Sequence, residues 1–486
     1  MGFVAAHGLD TAQRIHANQA LLEQVRASNV RWLRIGLVDQ HGLVRCKVLH
    51  ADQLASVLRN GLRMVNTLLL KDTACKTAWP VFTPGAGLQD SRLEGAADLV
   101  LLPEPETFRV LPWVPDTGWL LCSAYLPDGS VCPFDTRALL KRLMQQAKAT
   151  RGWSFHTGLE VEFHVYRLVD PNMALAQAGW PGEPPEVAHL DGGYQMLSEL
   201  RTDMQEPHLA ALSDAVLAMG MPLTSVEAEM GPSQCEFVFD VQEALASADA
   251  MVLLRSAAKQ MMRRAGLHAT FMCKPDLPDT MASGWHLHQS VCDAQGRNLF
   301  MPQASGDAPL STLGMQFLAG LRNHTPGCAA FASPTLNGYR RYAKANALAP
   351  NRVVWGIDNR GAVLRVIGAP DDPASRIEHR LGEPAANPYL VMASQWIALT
   401  VAWTQARPTA ILMLNQTVPH CCLKALDRRS MRCMPMPSCA KAWAAMSLAG
   451  TRGSNVRRSS VVTVHMPGSS ASIFRITRPL KDAKHF

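Results

Sequence analysis

GLEVEFHVYRL, residues Gly158 to Leu168, is the stretch on which the fold reading turns. In an extended strand the side chains repeat every two residues, so Leu159, Val161, Phe163 and Val165 share one face and Glu160, Glu162, His164 and Tyr166 the other. The two glutamates then project from the same side, about 6.5 to 7 Å apart along the strand. Alone, the segment reads as a half-buried strand with a solvated polar face. Three further segments repeat the arrangement. Between Glu229 and Asp240, residues Glu236, Val238 and Asp240 oppose Cys235, Phe237 and Phe239, with Glu229 in a turn that Gly231 and Pro232 permit. From Ser283 to Val291, the residues His286, His288 and Ser290 share a face, a pattern that in isolation is more often structural than ligating. From Arg376 to Arg380, the residues Arg376, Glu378 and Arg380 do the same.

Taken together these faces offer five glutamates and a histidine pair, with Arg341, Arg360, Arg365, Arg376 and Arg380 beside them. Oxygen-rich donors with an occasional imidazole suit magnesium or manganese, whereas zinc prefers a tetrahedral set richer in nitrogen and sulfur. Arginines aimed at the same place would neutralise charge on a transferring phosphoryl group, so phosphoryl transfer is the reaction class these residue types fit. No GxxxxGK[ST] string is present, which excludes a P-loop site.

Working outward, Val30 to Val38 and Leu43 to Leu49 read as a hairpin turned at Asp39 to Gly42, the start of a small N-terminal sheet domain. Prolines at 103, 105, 112, 115, 127 and 133 punctuate short strands and turns that suit a connection between two domains. Asp135 is placed to cap a helix carrying Leu139, Leu140 and Leu143 and closed by Gly152, where the second domain begins. At 486 residues with 48% hydrophobic composition, the chain is long enough for two domains. The 12 cysteines are scattered without a CxxC pair, as expected of reduced thiols. No window offers the roughly 18 uncharged apolar residues of a membrane span, and Met1 to Asp10 lacks a signal-peptide pattern, so a cytoplasmic protein without a membrane partner is expected. The formal charge of +7 invites a nucleic-acid partner, but 13 basic residues against two acidic ones lie after Leu399. The body, with 34 basic against 38 acidic residues, is slightly acidic, and no nucleic-acid partner is expected.

From Val30 to about Ser394 the chain resembles the glutamine synthetase family. The strings that carry the resemblance are TFRVLPW (Thr107 to Trp113), PDGSVCPFDTR (Pro127 to Arg137), GLEVEF (Gly158 to Phe163), FMCKP (Phe271 to Pro275), SGWHLHQS (Ser283 to Ser290), NGYRR (Asn337 to Arg341), NRGAVLR (Asn359 to Arg365) and RIEHRLGEPAANPYL (Arg376 to Leu390). The resemblance implies an α+β fold: a β-grasp domain over residues 20–125, then a catalytic domain over 126–398 with a funnel of antiparallel strands and flanking helices. It implies a double-ring dodecamer with active sites between neighbouring subunits. It also implies that Glu162, Glu229 and Glu236 hold one divalent ion, magnesium or manganese, while Glu160, His286 and Glu378 hold the ion that bridges the ATP phosphates. By the same resemblance His288, Ser290, Arg365 and Arg376 match the ATP and phosphate side. Arg341, Arg360 and Arg380 match the catalytic groups that grip the amino acid and stabilise its acyl phosphate. The implied activity converts glutamate to γ-glutamyl phosphate with ATP, after which an amine displaces phosphate.

Two departures bear on the amine. Ammonia-using members have a glutamate in a flap where this chain has NALAP, Asn346 to Pro350, with Leu348 at the glutamate's place. They also carry an Asp-Gly-Ser-Ser string that Val65 to Asp72 lacks. An apolar side chain beside the acyl phosphate favours a larger, less polar amine, because a desolvated ammonium would lack its partner. Leu348 is thus the candidate for the amine site, and the resemblance runs to the branch that makes γ-glutamyl amides of polyamines, alkylamines or arylamines. An ordinary glutamine synthetase and a non-catalytic member are the competing readings; the six candidate metal ligands speak against the latter. Met281 and Ala282 stand where the family usually has asparagine and glycine at the substrate's amino end.

Residues 399–486 form a basic tail, with no glutamate in the 103 residues after Glu383, where family tails are acidic and helical. One reading is an interaction tail for nucleic acid or acidic partners. The preferred reading is a frameshift near Leu399: back-translating His420 to Leu426 and Ser470 to Phe474 and shifting the frame by one base gives family-like strings. Pairing between rings would then be impaired.

Overall fold

A computed structural model describes residues 1–78, 80–83, 91–302, 308–343 and 348–404. The expectations for the basic tail beyond 404 lie outside the described residues. Among these, the strands form two sheets. The first contains β1 (Trp32–Val38), β2 (Val44–His50), β3 (Leu62–Val65), β4 (Asp98–Pro103), β5 (Arg109–Val110) and β6 (Thr117–Tyr125), in the order β2-β1-β6-β4-β3, with β5 on β6. Helices α1 (Phe3–Ala6), α2 (Ala12–Ala27) and α3 (Leu54–Asn60) belong to this part of the chain. The second sheet contains β7 (Ser154–Asp170), β8 (Glu186–Ala188), β9 (Leu223–Ala228), β10 (Gln234–Glu243), β11 (Leu267–Thr270), β12 (Trp285–Cys292), β13 (Trp355–Ile357), β14 (Leu364–Ile367) and β15 (Arg376–Gly382). Its order is β13-β14-β15-β12-β7-β10-β9, with β8 and β11 also on β7. Around it run α4 (Thr136–Arg151), α5 (Glu199–Ala218), α6 (Ala244–Arg264), α7 (Thr312–Ala332) and α8 (Pro388–Thr404).

The predicted hairpin is present, with Leu33 opposite Leu49 and Val38 opposite Val44. Its turn is locked by Asp39, whose Oδ1 accepts from the backbone N–H groups of His41 and Leu43 at 2.9 Å each, and whose Oδ2 accepts from Arg45 Nε at 2.8 Å. An aspartate that satisfies nearby backbone donors is a turn former for that reason. The turn also ties the first sheet to the helices beside the second: the Arg255 guanidinium of α6 donates to Gly42 O at 3.1 Å and Asn387 Nδ2, just before α8, to Asp39 O at 3.1 Å. The cap on α4 is as read from sequence: Asp135 Oδ1 accepts from Ala138 N at 2.9 Å, and Gly152 closes the helix at φ 64°.

One expectation changes. Within the proline-punctuated stretch read as a connection, β6 runs through the middle of the first sheet, parallel to β1 and antiparallel to β4, with all nine residues buried. A strand covered on both faces shows no polar alternation, which is why its sequence did not announce it.

β7 organises the second sheet. Its odd-numbered face carries Phe155 against Phe317 of α7 and Trp396 of α8, and Phe163 against Phe237 and Phe271. Its even-numbered face is not solvated: Glu162, His164 and Tyr166 are buried. No helix among the described residues is long and apolar enough to cross a membrane.

Candidate active site

Sheet register assembles the site. Glu162 of β7 lies opposite Glu236 of β10, and Glu160 of β7 opposite His286 of β12. On the far side of β12, His288 lies opposite Glu378 of β15, which in turn lies opposite Arg365 of β14. Cross-strand neighbours on one face are about 4.5–5.5 Å apart, so these pairings bring groups remote in sequence within ligand-sharing distance.

Glu160 is the hub. Its Oε2 is 2.9 Å from His286 Nδ1 and its Oε1 is 2.8 Å from His288 Nε2. Arg376 Nε donates to His288 Nδ1 at 3.0 Å, so that nitrogen is the acceptor and Nε2–H donates to Glu160. His286 lies 3.8 Å from Glu162 Oε1, 4.0 Å from Glu236 Oε1 and 3.8 Å from Glu378 Oε1. Glu378 accepts from Arg365 Nη1 at 3.0 Å and also from Arg380. Arg365 is shared with Asp358, whose Oδ1 accepts from its Nε at 2.9 Å. Arg341, 7% exposed, donates to Gly382 O at 2.8 Å and brings its Nη2 to 3.3 Å from His286 Nε2.

The electrostatics are polarised. Burial alone would raise the Glu160 carboxyl, but hydrogen bonds from His286 and His288 hold it well below the usual carboxylate range. Glu378 is lowered too, its burial outweighed by His286, His288 and Arg380. Glu229 and Glu236 go the other way: burial pushes both up, and the Glu162 carboxylate adds to it. Glu236 Oε1 is buried without a hydrogen-bond partner. An excess of carboxylates forced toward protonation, one with an orphaned oxygen, is the electrostatic complement of a divalent cation. Donor atoms of Glu160, Glu236 and His286 lie within 4.8 Å of one another, as do those of Glu160, His288 and Glu378. Glu160 belongs to both groupings, and Glu162 and Glu229 to neither.

Of the other expected residues, Ser290 continues the same face of β12, opposite His156. Arg360 is exposed in the turn between β13 and β14, its positive charge acting on Asp358. Leu348 is 68% exposed, and 346–347 of the flap string lie outside the described residues. Sequence reasoning passed over three contributors. Gln234 donates to Glu162 Oε2 at 3.1 Å; its parity with Glu236 on β10 was the available signal. Gly284 N donates to the same oxygen at 2.9 Å, and a Cβ at this position would fall 2.3 Å from Arg341 Nη2. Glu383 accepts from the Thr335 backbone N–H at 2.8 Å and its hydroxyl at 2.7 Å, bracing the turn that carries Arg341.

Comparison with known proteins identifies the family. Residues 133–400 match the glutamine synthetase catalytic domain family. The chain is 36% identical over 406 residues to a gamma-glutamylanilide synthase of Acinetobacter, covering 82% of this chain and 80% of that protein. It is 30% identical over 378 residues to a glutamine synthetase of Methanosarcina mazei, covering 77% and 76%, and 27% identical over 377 residues to a glutamate–methylamine ligase of Methyloversatilis universalis, covering 76% and 77%. The solved structure of a GmaS–ADP complex superposes with a TM-score of 0.67 at 25% identity, covering 88% of this chain and 95% of that one. With its acidic, histidine-bearing pocket ringed by arginines, the chain belongs to the glutamine synthetase family of ATP-dependent carboxylate–amine ligases.

Proposed function

We propose that this ligase joins the γ-carboxylate of glutamate to an organic amine, with arylamines the preferred class. The observation that carries the ligase chemistry is the convergence of Glu160, Glu162, Glu236, His286 and Glu378 beside Arg341, Arg365 and Arg380. In the first step a glutamate γ-carboxylate oxygen attacks the terminal phosphorus of ATP and ADP leaves with the bonding electrons. In the second the amine nitrogen attacks the acyl carbon, phosphate departs, and the nitrogen gives up a proton.

Glu160, Glu162, Glu229, Glu236, His286 and Glu378 would hold two divalent cations, magnesium or manganese by their oxygen-rich donor set. Bound there, such ions supply positive charge to the phosphoryl oxygens. Arg365 of β14 and Arg376 of β15 are assigned to the phosphates, together with His288 and Ser290 of β12. Arg341, Arg380 and Arg360 are assigned to the amino acid and its acyl phosphate. Arg341 and Arg380 are buried and held by backbone or carboxylate partners, so they present fixed charge that needs no reorganisation as the acyl phosphate forms.

The choice of amine rests on Leu348 and on similarity to the Acinetobacter and Methyloversatilis enzymes. An arylamine is already neutral near neutral pH, so it requires no anionic flap residue to bind an ammonium and take its proton. A domain division at about residue 125 is part of the same proposal, supported by the first sheet's last strand ending at Tyr125 and the second sheet's first strand starting at Ser154, and a cytoplasmic homo-oligomer is the proposed working form. The test is phosphate release and product mass with ATP, glutamate and a panel of aniline, methylamine, a diamine and ammonia, in magnesium and in manganese. Turnover should be highest with an organic amine; ammonia outrunning every organic amine would refute the assignment.

A further inference from the structure

We infer that Gln234 is a positioning residue for the carboxylate-rich cation site, holding Glu162 so that one carboxylate oxygen is occupied and the other is presented to the ion. The inference rests on the two-cation reading above. Gln234 opens β10, two residues before Glu236 on the same face, and is 1% exposed. Its Oε1 accepts from Gly231 N at 2.8 Å, which fixes the sense of the amide. The Nε2 group must then point the other way, where it donates to Glu162 Oε2 at 3.1 Å and to Ser283 Oγ at 3.0 Å.

A second donor reaches the same carboxylate oxygen, Gly284 N at 2.9 Å. Two N–H groups converging on Oε2 hold the carboxylate plane and leave Oε1 turned toward His286, 3.8 Å from its Nε2. A carboxylate pinned in this way offers a single oxygen, while a free one can rotate or chelate with both. The amide also ties together three stretches that local structure leaves independent. These are the turn that follows Glu229, through Gly231; the β7 strand, through Glu162; and the approach to His286, through Ser283. Ser283 is itself fully buried, its Oγ 3.3 Å from His164 Nδ1, so the amide faces a rigid partner on that side. Partners that orient ligating carboxylates typically contribute about 10–100-fold in metal affinity.

The experiment is a manganese titration of the full chain without substrates, read by calorimetry and by the loss of the free-ion paramagnetic signal, on wild type and Gln234→Glu. That change keeps the shape and the acceptor for Gly231 N–H but removes both N–H donors. The expected result is two ions per wild-type chain, with one bound about 10–100-fold more weakly in the variant and the other unchanged. Ser283→Ala, which removes one of the amide's acceptors beside Glu162 and Ala282 O, should weaken the same ion severalfold and takes the place of Gln234→Glu if that variant does not fold. A folded variant binding both ions within threefold of wild type overturns the inference. Equal weakening of both ions with a lowered melting temperature overturns it too, because a general loosening of the sheet is not positioning. Failure of the wild type to bind two ions instead defeats the two-cation reading on which the inference rests.

Discussion

Gly284 carries no special backbone angle, yet the site has no room for a larger residue there. A methyl at this position would lie 2.3 Å from Arg341 Nη2, 2.5 Å from Nη1 and 2.6 Å from Cζ. Ordinary heavy-atom contact begins near 3.5 Å, so in Gly284→Ala the guanidinium must shift by about 1 Å. It is 7% exposed and anchored on Gly382 O at 2.8 Å, so the shift breaks that bond and displaces the charge from beside His286. Misplacing a positioned charge by about 1 Å costs on the order of 100-fold in rate, or about 2.7 kcal/mol on the barrier. Overpacking adds about 1–3 kcal/mol of lost stability. The backbone N–H to Glu162 survives in alanine, so cation binding should stay within threefold of wild type. The assay is kcat/KM for glutamate in amine-dependent phosphate release, with manganese titration alongside. Because both changes act through one group, Gly284→Ala and Arg341→Ala should be far from additive. A Gly284→Ala enzyme with kcat/KM within threefold of wild type would refute the reasoning.

Three other outcomes follow from the same geometry. Glu378→Gln leaves the guanidinium groups of Arg365 and Arg380 without their shared buried counter-charge; activity should fall at least 100-fold and stability by about 3–5 kcal/mol in urea unfolding, a change below 1 kcal/mol contradicting the pairing. Burial pushes Glu383 up to about 7, and burial with neighbouring carboxylates raises Glu229 and Glu236, so the metal-free fold favours their protonated forms. That contribution is complete below the ordinary glutamate range and is lost as pH climbs through the raised values. Buried His164 and His379, lowered by burial, oppose it in acid but are neutral folded and unfolded above about pH 7, so the metal-free melting temperature should drop from about pH 7 to pH 9. Magnesium should restore it most at the alkaline end, and a melting temperature that rises with pH in EDTA would count against the assignment. Leu348→Glu should shift the ratio of ammonia to aniline turnover toward ammonia by about tenfold, measured as paired kcat/KM values; an unchanged ratio removes Leu348 from amine selection.

Much of this molecule is written locally in its sequence. The period of two in Gly158 to Leu168 assigns Glu160 and Glu162 to one face of a strand, and the same rule groups His286 with His288 and Arg376 with Glu378. Asp135 and Gly152 bracket α4, and Asp39 to Gly42 turns the first hairpin, because capping and turning are satisfied by groups a few residues away. Chain order cannot say which strands lie side by side. The order β10-β7-β12-β15-β14 sets Glu236 against Glu162, His286 against Glu160 and Arg365 against Glu378, and pairing of this kind is chosen by the packing of whole sheets. The same long-range pairing put β6 at the centre of the first sheet and delivered the Gln234 amide to Glu162. It also gave Asp358 a share of Arg365 and left Gly284 so close to Arg341 that any side chain there must displace the guanidinium. Residue type and local periodicity therefore supplied the chemistry of the site. Its shape came from tertiary contacts, because a carboxylate becomes a ligand only when other strands bring its neighbours within a few ångströms and shut water out.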